Sequence, residues 1–393
     1  MSRQESASAD KLLAWYEENR RILPWREDPT PYHVWISEIM LQQTRVEAVR
    51  EYYRRFLEAC PEISDLAEAK EDRYMKLWEG LGYYSRVRNL HRAAVQVMEE
   101  CGGELPATRE ALMRLPGIGR YTASAIASIA FGQMTPAVDG NLLRIYARMT
   151  YETENIRTPA ASRAAEQYFT RLMQEITITT EDRISENQTN QENAPRPFSA
   201  YGNFNQALMD LGATVCLPNG APRCGSCPWR ETCRAHELGR ETEVPVIPAK
   251  KPRTVEKLTV FLIQDAGRTA LHKRAAKGLL ARLYEFPNAE GHLSEDEALT
   301  YVRRLGYEPL RIRSLGPARH IFTHKEWDMI GYAVRVDELQ GRRMTGAAVS
   351  PTEDAETGER ESLIPLILAD TREVEQTYSI PSAFAAYTRQ ITG

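Results

Sequence analysis

The sequence lacks three features that would place it in a broad class at once. No apolar run among its 393 residues approaches the ~20 residues that a membrane-spanning helix needs. The N-terminal stretch 1–13 lacks the apolar segment of a secretory signal peptide. The net charge is only −4, which argues against a surface that binds polyanions throughout but allows one basic face. These absences predict a cytoplasmic protein without membrane contact.

Cysteine is also scarce, and it is unevenly distributed. Six cysteines are present, and four of them lie within eighteen residues: Cys216, Cys224, Cys227 and Cys233. In a reducing compartment, cysteines clustered in this way indicate metal ligands rather than disulfides. Seven, two and five residues separate them, and four thiolates can hold either an iron–sulfur cluster or a zinc ion. The sequence therefore predicts a metal centre but leaves its metal open.

The first half of the chain has the pattern of successive helices, from residue 10 to residue 175. Thr30, followed by proline, has the residue type preferred at a helix start, and Thr44 with Glu47 has the spacing of a capping box. The segment Leu115–Gly119 predicts a tight turn before a helix of small residues. These patterns indicate an all-α region that contains a helical hairpin.

The last third of the chain has a different pattern. Residues 255–264 and 329–336 alternate in the manner of strands, and Ser294 with Glu297 predicts a helix over 295–305. The polar stretches 177–200 and 350–362 are expected to be surface loops. Residues 241–254 are rich in proline, which is typical of a linker. We therefore expect three parts: an all-α region over 1–240, this linker over 241–254 and an α+β domain over 255–393.

Two carboxylates stand out as candidates for chemistry. Glu38 lies in mid-helix between bulky apolar residues, so burial is expected to raise its pKa into the range of a general acid. Asp139 precedes a glycine, which is typical of a turn or cap residue. It follows Gly119 by twenty residues, however, so the intervening helix can return it to the same cleft as the hairpin.

Several other residues have both a structural and a nucleic-acid interpretation. Gly117 and Gly119 let a backbone approach a phosphate closely, and the amides at the following helix start can hold it. Tyr83 lies beside two glycines, where an exposed aromatic can wedge between bases, although tyrosine is also a common core residue. The run Gln42–Thr44 can bind base edges or merely face solvent.

Five segments occur in an order that resembles a known family. They are Leu23–Arg26, Ser37–Val46, Gly80–Arg86, Leu115–Ala123 and Val138–Asn141. Together they resemble the adenine DNA glycosylases of the MutY family, within the endonuclease III-like helix-hairpin-helix superfamily. The later segment Lys277–Pro287 resembles the Nudix-like domain with which that family inspects 8-oxoguanine. The resemblance covers nearly the whole chain.

The resemblance implies a multidomain fold. It implies a six-helix barrel with the helix-hairpin-helix at about 28–135, and an iron–sulfur subdomain formed from 1–27 and 136–240. A Nudix-like α+β domain follows over 255–393. The four cysteines would hold a [4Fe–4S] cluster, although seven residues separate the first two where the family has six.

The resemblance also implies the activity. A glycosylase of this family hydrolyses the N-glycosidic bond of adenine mispaired with 8-oxoguanine or guanine in duplex DNA, and leaves an abasic site. By position, Glu38 would protonate the flipped adenine at N7, Asp139 would stabilise the oxocarbenium-like sugar, and Tyr121 would orient both. The implied partner is double-stranded DNA with that mispair, bound by a monomer that is nucleoid-associated if the source is bacterial.

Further site residues follow by position in the same motifs. The implied substrate-binding residues are Arg26, Trp25 and Gln206 around adenine, and Gln42, Gln43, Thr44, Leu81, Tyr83, Thr323 and His324 around 8-oxoguanine. The implied DNA-backbone contacts are Gly117, Gly119, Arg86 and Arg120. At Thr323 the family usually has serine, so the methyl group puts the preference for 8-oxoguanine over guanine in doubt.

Two rival functions remain open. Bifunctional relatives, which act on oxidised pyrimidines, carry a lysine where this chain has Tyr121, and a phenol cannot form the Schiff base that cleaves the strand. A catalytically silent sensor of damaged DNA would use the same scaffold, but both carboxylates are present. The sequence therefore favours a monofunctional glycosylase.

Overall fold

A computed structural model of the chain describes residues 8–176, 199–249, 252–339 and 365–391. The chain folds into two compact units. The helical unit contains residues 1–70 and 85–250, and the sheet unit contains residues 71–84 and 251–393. This division differs from the predicted one because residues 71–84 interrupt the helical region and join the later part of the chain. Among the described residues, no helix is long and apolar enough to cross a membrane.

Helices build the first unit, as the sequence predicts. The helices found before residue 250 are, in chain order, α1 (Ala9–Asn19), α2 (Pro24–Glu27), α3 (Pro31–Leu41), α4 (Val46–Ala59), α5 (Ile63–Glu68), α6 (Glu71–Leu77), α7 (Ser85–Glu100), α8 (Arg109–Leu112), α9 (Arg120–Phe131), α10 (Gly140–Thr150), α11 (Pro159–Gln174), α12 (Ala200–Thr214) and α13 (Arg234–Glu237). Of these, α6 belongs to the sheet unit.

Of the helix starts predicted at Thr30 and Thr44, the first is confirmed and the second is wrong. At α3 the prediction is confirmed, because Thr30 Oγ1 accepts a hydrogen bond from the His33 amide at 3.2 Å. At α4 it is wrong, because the helix begins after Arg45 and has no side-chain cap. The Thr44 hydroxyl instead donates to the Gln42 carbonyl oxygen and accepts from Arg86 Nη2, both at 3.3 Å. Its capping capacity is therefore used elsewhere.

One hydrophobic core of the helical unit joins its N-terminal helix to later ones. Leu12 of α1 packs with Leu142 of α10, Phe169 of α11 and Phe204 of α12, and all four are fully buried or nearly so. This packing brings α12, which carries Gln206, against the N-terminal part of the chain. The described part of the 241–254 segment is not a free linker, because Val244 belongs to the same core.

The sheet unit contains one mixed sheet. Its strands are β1 (Thr254–Gln264), β2 (Arg268–Lys273), β3 (Tyr284–Glu285), β4 (Asn288–Glu290), β5 (Pro309–Ile321), β6 (Lys325–Val336) and β7 (Leu366–Asp370). The strand order is β3-β2-β1-β6-β5, while β4 pairs with β1 and β7 pairs with β2. The helices here are α14 (Glu295–Arg304), α15 (Val374–Thr377) and α16 (Ala385–Thr388).

Alternation along β1 places a core on each face of this sheet. Val260 and Leu262 pack into one core, whereas Phe261 and Ile263 pack into the other. The predicted capping box at Ser294 and Glu297 is confirmed at the start of α14. Strands β5 and β6 form a long antiparallel hairpin whose turn holds Thr323. The predicted loops 177–200 and 350–362 lie outside the described residues, apart from Ser199, which caps α12, and Ala200.

Candidate active site

A cavity of about 200 Å³ opens in the helical unit between α2, α3, α9, α12 and the start of α10. Its lining contains seven of the residues singled out from the sequence: Trp25, Arg26, Glu38, Thr44, Tyr121, Asp139 and Gln206. These residues come from distant parts of the chain, so the fold brings together what the motifs predict separately. The size and the convergent polar groups suit a small ligand with polar atoms.

Glu38 is buried on α3, with only 5% of its surface exposed. Desolvation raises the pKa of its carboxyl group to about 7, the nearby Asp139 adds to the rise, and a hydrogen bond from the Tyr121 hydroxyl opposes it. Among the described residues, none makes a hydrogen bond with its Oε2 atom. One carboxyl oxygen is therefore left for a ligand, and the group is poised between its protonated and ionised forms near neutrality.

Asp139 has two roles at once. Its Oδ1 atom accepts hydrogen bonds from the amides of Asn141 at 2.8 Å and Leu142 at 2.9 Å, which caps α10. The cap interpretation is thus correct, and the same carboxyl group also lines the cavity. Burial raises its pKa, and these backbone hydrogen bonds act in the opposite direction. The helix start holds this carboxyl group in a fixed orientation.

Tyr121 lies near both carboxyl groups. Burial raises its pKa well above the ordinary range of a phenol, and the nearby Glu38 and Asp139 raise it further. The side chain therefore stays a neutral phenol, which donates a hydrogen bond to Glu38. Among the described residues that line the cavity, none is a lysine, so no amine is present there to attack a sugar.

Asp210 is a site residue that the sequence analysis missed. It lies on α12, its side chain is fully buried, and it binds two arginines of the cavity lining. Arg26 forms a two-pronged pair with it at 2.8 and 2.9 Å, and Arg21 Nε donates to it at 2.7 Å. Burial acts to raise the pKa of Asp210, but these arginines outweigh it and lower the pKa overall. A single charged residue within a helix of otherwise uncharged residues was the available signal.

Two residues near α3 that are predicted to contact DNA also have partners within the protein. Arg86 is buried, and its Nη1 atom donates to the carbonyl oxygens of Ile39, Met40 and Gln42 at 2.7–2.9 Å. It caps the C-terminus of α3, and its contact with a phosphate stays a prediction. Gln42 Nε2 donates to Thr122 Oγ1 at 3.2 Å, which ties the end of α3 to α9.

The predicted hairpin is present between α8 and α9. Gly117 has φ of +80°, and a Cβ atom there would lie 2.6 Å from Asn89 Cβ, so both the turn and the close approach require glycine. Gly119 is exposed at the N-terminus of α9. Arg120 follows it with 66% of its side chain exposed, 3.5 Å from Glu166. This end of α9 therefore offers backbone amides and a cation to solvent.

The residues predicted to face the opposite base lie partly in the sheet unit. Tyr83 is 45% exposed with φ of +47°, and its hydroxyl is hydrogen-bonded to Thr323 Oγ1. His324 is exposed in the same turn of the β5–β6 hairpin. Leu81, in contrast, is only 7% exposed, so the wedge expected of it does not reach a free surface in this structure. Gln43 is exposed and has φ of +57°.

The four clustered cysteines converge, and none of the six cysteines, which all lie in the described residues, forms a disulfide. Cys216, Cys224, Cys227 and Cys233 line one cavity of about 30 Å³. Arg148 Nη1 donates to Cys216 Sγ at 3.2 Å, and backbone amides donate to the sulfurs of Cys227 and Cys233. Such donors favour thiolates, although burial raises the pKa of Cys227 to about 12. Four converging sulfurs with fixed donors fit a metal centre.

Two further polar groups join this cysteine site. His236 Nδ1 lies 2.5 Å from Glu241 Oε1, and that oxygen lies 3.7 Å from Cys224 Sγ. A side chain also connects the cysteines to the active site: Arg144 donates to the Cys216 carbonyl oxygen at 2.8 Å and to Asn141 Oδ1 at 2.9 Å. Asn141 in turn donates to Asp139 Oδ2 at 3.0 Å. Sequence spacing gave no signal for these contacts.

Comparison with known proteins now gives the class of protein. Residues 36–171 match the family model described as HhH-GPD superfamily base excision DNA repair protein, and residues 259–385 match the NUDIX domain. The helical fold with its hairpin and two-carboxylate cavity, followed by the mixed sheet, defines a helix-hairpin-helix DNA glycosylase with a Nudix-like domain. The predicted fold class is therefore confirmed.

Relatives that match most of the chain identify the family within this class. The adenine DNA glycosylase of Mus musculus is 34% identical, with 85% of this chain and 71% of that protein covered. The adenine DNA glycosylase of Buchnera aphidicola subsp. Baizongia pistaciae is 31% identical, with 80% and 82% covered. A solved thermostable thymine-DNA glycosylase is 27% identical over 58% of this chain and 95% of that chain, with a TM-score of 0.47. The chain belongs to the adenine DNA glycosylase family.

Proposed function

We propose that this member of the family removes adenine mispaired with 8-oxoguanine or guanine from duplex DNA and leaves an abasic site. The observation that carries the proposal is the pair Glu38 and Asp139, which line one cavity, with one Glu38 oxygen available to a ligand. A base inside a duplex cannot reach such a cavity, so the adenosine must be flipped out of the stack.

Glu38 supplies the proton. With a pKa of about 7, a substantial fraction of its carboxyl groups is protonated at neutral pH. The protonated Glu38 donates to N7 of adenine, which makes the base a neutral leaving group. The hydrogen bond from Tyr121 steadies the carboxyl group during this transfer.

Asp139 then meets the positive charge that develops on the sugar as the base departs. Its carboxylate is oriented by the amides of Asn141 and Leu142, so no reorganisation is needed at that moment. Water adds to the sugar and completes the hydrolysis. Because Tyr121 occupies the position of the attacking lysine of bifunctional relatives, we propose that the strand is left intact.

Recognition of 8-oxoguanine is a further part of the proposal. Its support is the contact of Tyr83 with Thr323, which joins two predicted recognition residues within the sheet unit. The exposed amides beside Gly117 and Gly119, with Arg120, would bind phosphate. The helical unit holds the whole catalytic set, which supports action as a monomer. Because the proposed substrate is DNA, we place the protein where the DNA is, nucleoid-associated in a bacterium.

We propose a [4Fe–4S] cluster as the cofactor of the cysteine site. Cys216, Cys224, Cys227 and Cys233 would hold it, and Arg148 would donate to one ligand sulfur. When bound, the cluster would cross-link residues 216–233, the segment that follows α12, to itself at four points. Iron and sulfide content and the visible absorption of the purified protein test this. One equivalent of zinc without iron would overturn the assignment.

A single-turnover assay tests the activity. Duplexes would hold adenine opposite 8-oxoguanine, guanine or thymine, and another duplex would hold thymine glycol. We expect strand breaks only after alkali, and only for adenine opposite 8-oxoguanine or guanine. Breaks at thymine glycol without alkali would instead indicate a bifunctional enzyme.

The acid is tested with Glu38→Gln, and Glu99→Gln serves as the matched control because Glu99 is exposed on α7. We expect Glu38→Gln to slow excision by at least about a hundredfold, with duplex affinity nearly unchanged. Wild-type rates from Glu38→Gln would exclude this residue as the acid. Duplex binding without excision by the wild type would indicate a sensor.

A further inference from the structure

Tyr16 of α1 makes a contact inside the helical unit that the mechanism above does not use. Its hydroxyl donates to Oε1 of Gln206, a cavity residue, at 3.3 Å. Both residues are buried, with 4% and 7% of their surfaces exposed. The guanidinium of Arg26, another cavity residue, lies over the Tyr16 ring at 5.6 Å from its centre. Tyr16 therefore touches two residues of the proposed adenine pocket.

The Tyr16 hydroxyl limits how the Gln206 amide can be turned. A buried O–H group needs an acceptor, and a side-chain amide offers one only at its oxygen. If the amide were flipped, its NH2 group would face the hydroxyl, and the phenolic proton would lose its acceptor among the described residues. Arg26 cannot serve, since a guanidinium has no acceptor. The amide oxygen is thus held toward Tyr16.

This orientation determines what Gln206 offers to a base. Its NH2 group has no acceptor among the described residues, so it is left for a ligand, together with the second lone pair of Oε1. The Watson–Crick edge of adenine has a matching acceptor at N1 and donor at N6, and an amide can bind such a pair with two hydrogen bonds. A 6-oxopurine has the opposite order, with a donor at N1 and an acceptor at O6.

Arg26 is held in place independently of Tyr16. Its Nη1 and Nη2 atoms are fixed by Asp210, so the guanidinium does not need to turn when a base enters. The amide of Gln206 is the group of this pair that can adapt by a half turn. Control of that turn lies in the single hydroxyl of Tyr16.

We propose that Tyr16 is a positioning residue that makes the pocket select 6-aminopurines over 6-oxopurines by fixing the amide orientation of Gln206. The inference rests on the proposed function, because it assumes that the flipped base enters this cavity. It adds to that function a residue of α1 that selects the base without contacting it.

The test compares adenine with hypoxanthine, each opposite 8-oxoguanine, in single-turnover assays of the full chain. In Tyr16→Phe the amide can turn freely, so we expect the ratio of hypoxanthine to adenine excision to rise about fivefold, the value of one neutral hydrogen bond. Tyr32→Phe is the matched control, since its buried hydroxyl donates to the Cys60 carbonyl oxygen at 3.0 Å and does not line the cavity. Its ratio should stay that of the wild type.

A second comparison tests whether Tyr16 acts through Gln206. In a Gln206→Ala background there is no amide to orient, so Tyr16→Phe should leave the ratio unchanged. A change there of the same size as in the wild-type background would overturn the proposal. So would an equal loss of both activities in Tyr16→Phe, or no gain on hypoxanthine.

The wild type separates this inference from the function on which it rests. If the wild type does not excise adenine opposite 8-oxoguanine or guanine, the proposed function itself fails. If it excises adenine and the ratio in Tyr16→Phe is unchanged, only the role of Tyr16 fails.

Discussion

Glu38 should make the helical unit less stable as the pH rises, and Glu38→Gln should relieve this effect. Burial lifts the pKa of this carboxyl group from an ordinary 4.5 to about 7 in the folded protein. The ionised form is therefore disfavoured where it is buried but not in the unfolded chain. A buried acid that is poised for proton transfer carries this cost in its ionised form.

The sign and size follow from the two pKa values. Below 4.5, Glu38 is protonated in both states and contributes no pH dependence. Between 4.5 and about 7 the folded protein keeps a proton that the unfolded chain has released, so stability falls as the pH rises. Above this range the loss is complete and amounts to about 3 kcal/mol. Glutamine has no proton to lose, so Glu38→Gln avoids the loss.

Urea unfolding followed by far-ultraviolet circular dichroism measures the effect. We expect Glu38→Gln to be more stable than the wild type by about 3 kcal/mol at about pH 8, and by much less at about pH 5. Glu99→Gln makes the same chemical change on the exposed face of α7 and should give no such difference. A stability gain for Glu38→Gln that is equal at both pH values would refute the raised pKa.

The rate of excision should also depend on the protonation of Glu38. The reaction needs protonated Glu38, so the single-turnover rate constant should fall about tenfold for each pH unit above about 7. A rate that rises through this range would mean that Glu38 acts as a base.

Three further substitutions probe the groups around Glu38. Asp139→Asn should keep the α10 cap, because asparagine also caps helices, but slow excision at least about a hundredfold; calorimetry and single-turnover rates measure the two effects. Tyr121→Phe removes a hydrogen bond that lowers the pKa of Glu38, so the alkaline limb of the pH–rate profile should move to higher pH. Asp210→Asn leaves the charge of Arg26 without its carboxylate, which should stabilise ionised Glu38 and move the same limb to lower pH. Shifts of the same sign in both variants would contradict this account.

Local patterns predicted part of this structure well, for physical reasons. The apolar neighbours of Glu38 on α3 indicated burial, and the raised pKa follows from it. The start of α14 depends on Ser294 and Glu297 alone, so its capping box could be predicted from their spacing. The same spacing failed at Thr44, whose hydroxyl binds Gln42 and Arg86 instead. A cap forms only when no distant partner competes for the side chain.

Distant pairing is what the sequence could not reveal. Arg26 and Asp210 are 184 positions apart, and Tyr16 and Gln206 are 190 apart. No helical or strand period connects such residues, so their pairing becomes visible only when α12 packs against α1. Arg86 shows the converse: an arginine beside two glycines and two tyrosines suggests a surface, yet packing buries it under the end of α3.

Three carboxyl groups in or beside the cavity differ in the partners that each one has. Asp210 faces two arginines, which keep it ionised, and its charge offsets only one of their two positive charges. Asp139 has backbone amides, which hold it in place but only partly offset burial. Glu38 has a phenol on one side and a free oxygen on the other, and its pKa is about 7. If Asp210 did not hold Arg26, that cation could turn toward Glu38 and keep it ionised, and the acid would be lost. The ion pair on α12 thus preserves the proton on α3, although Asp210 does not contact Glu38.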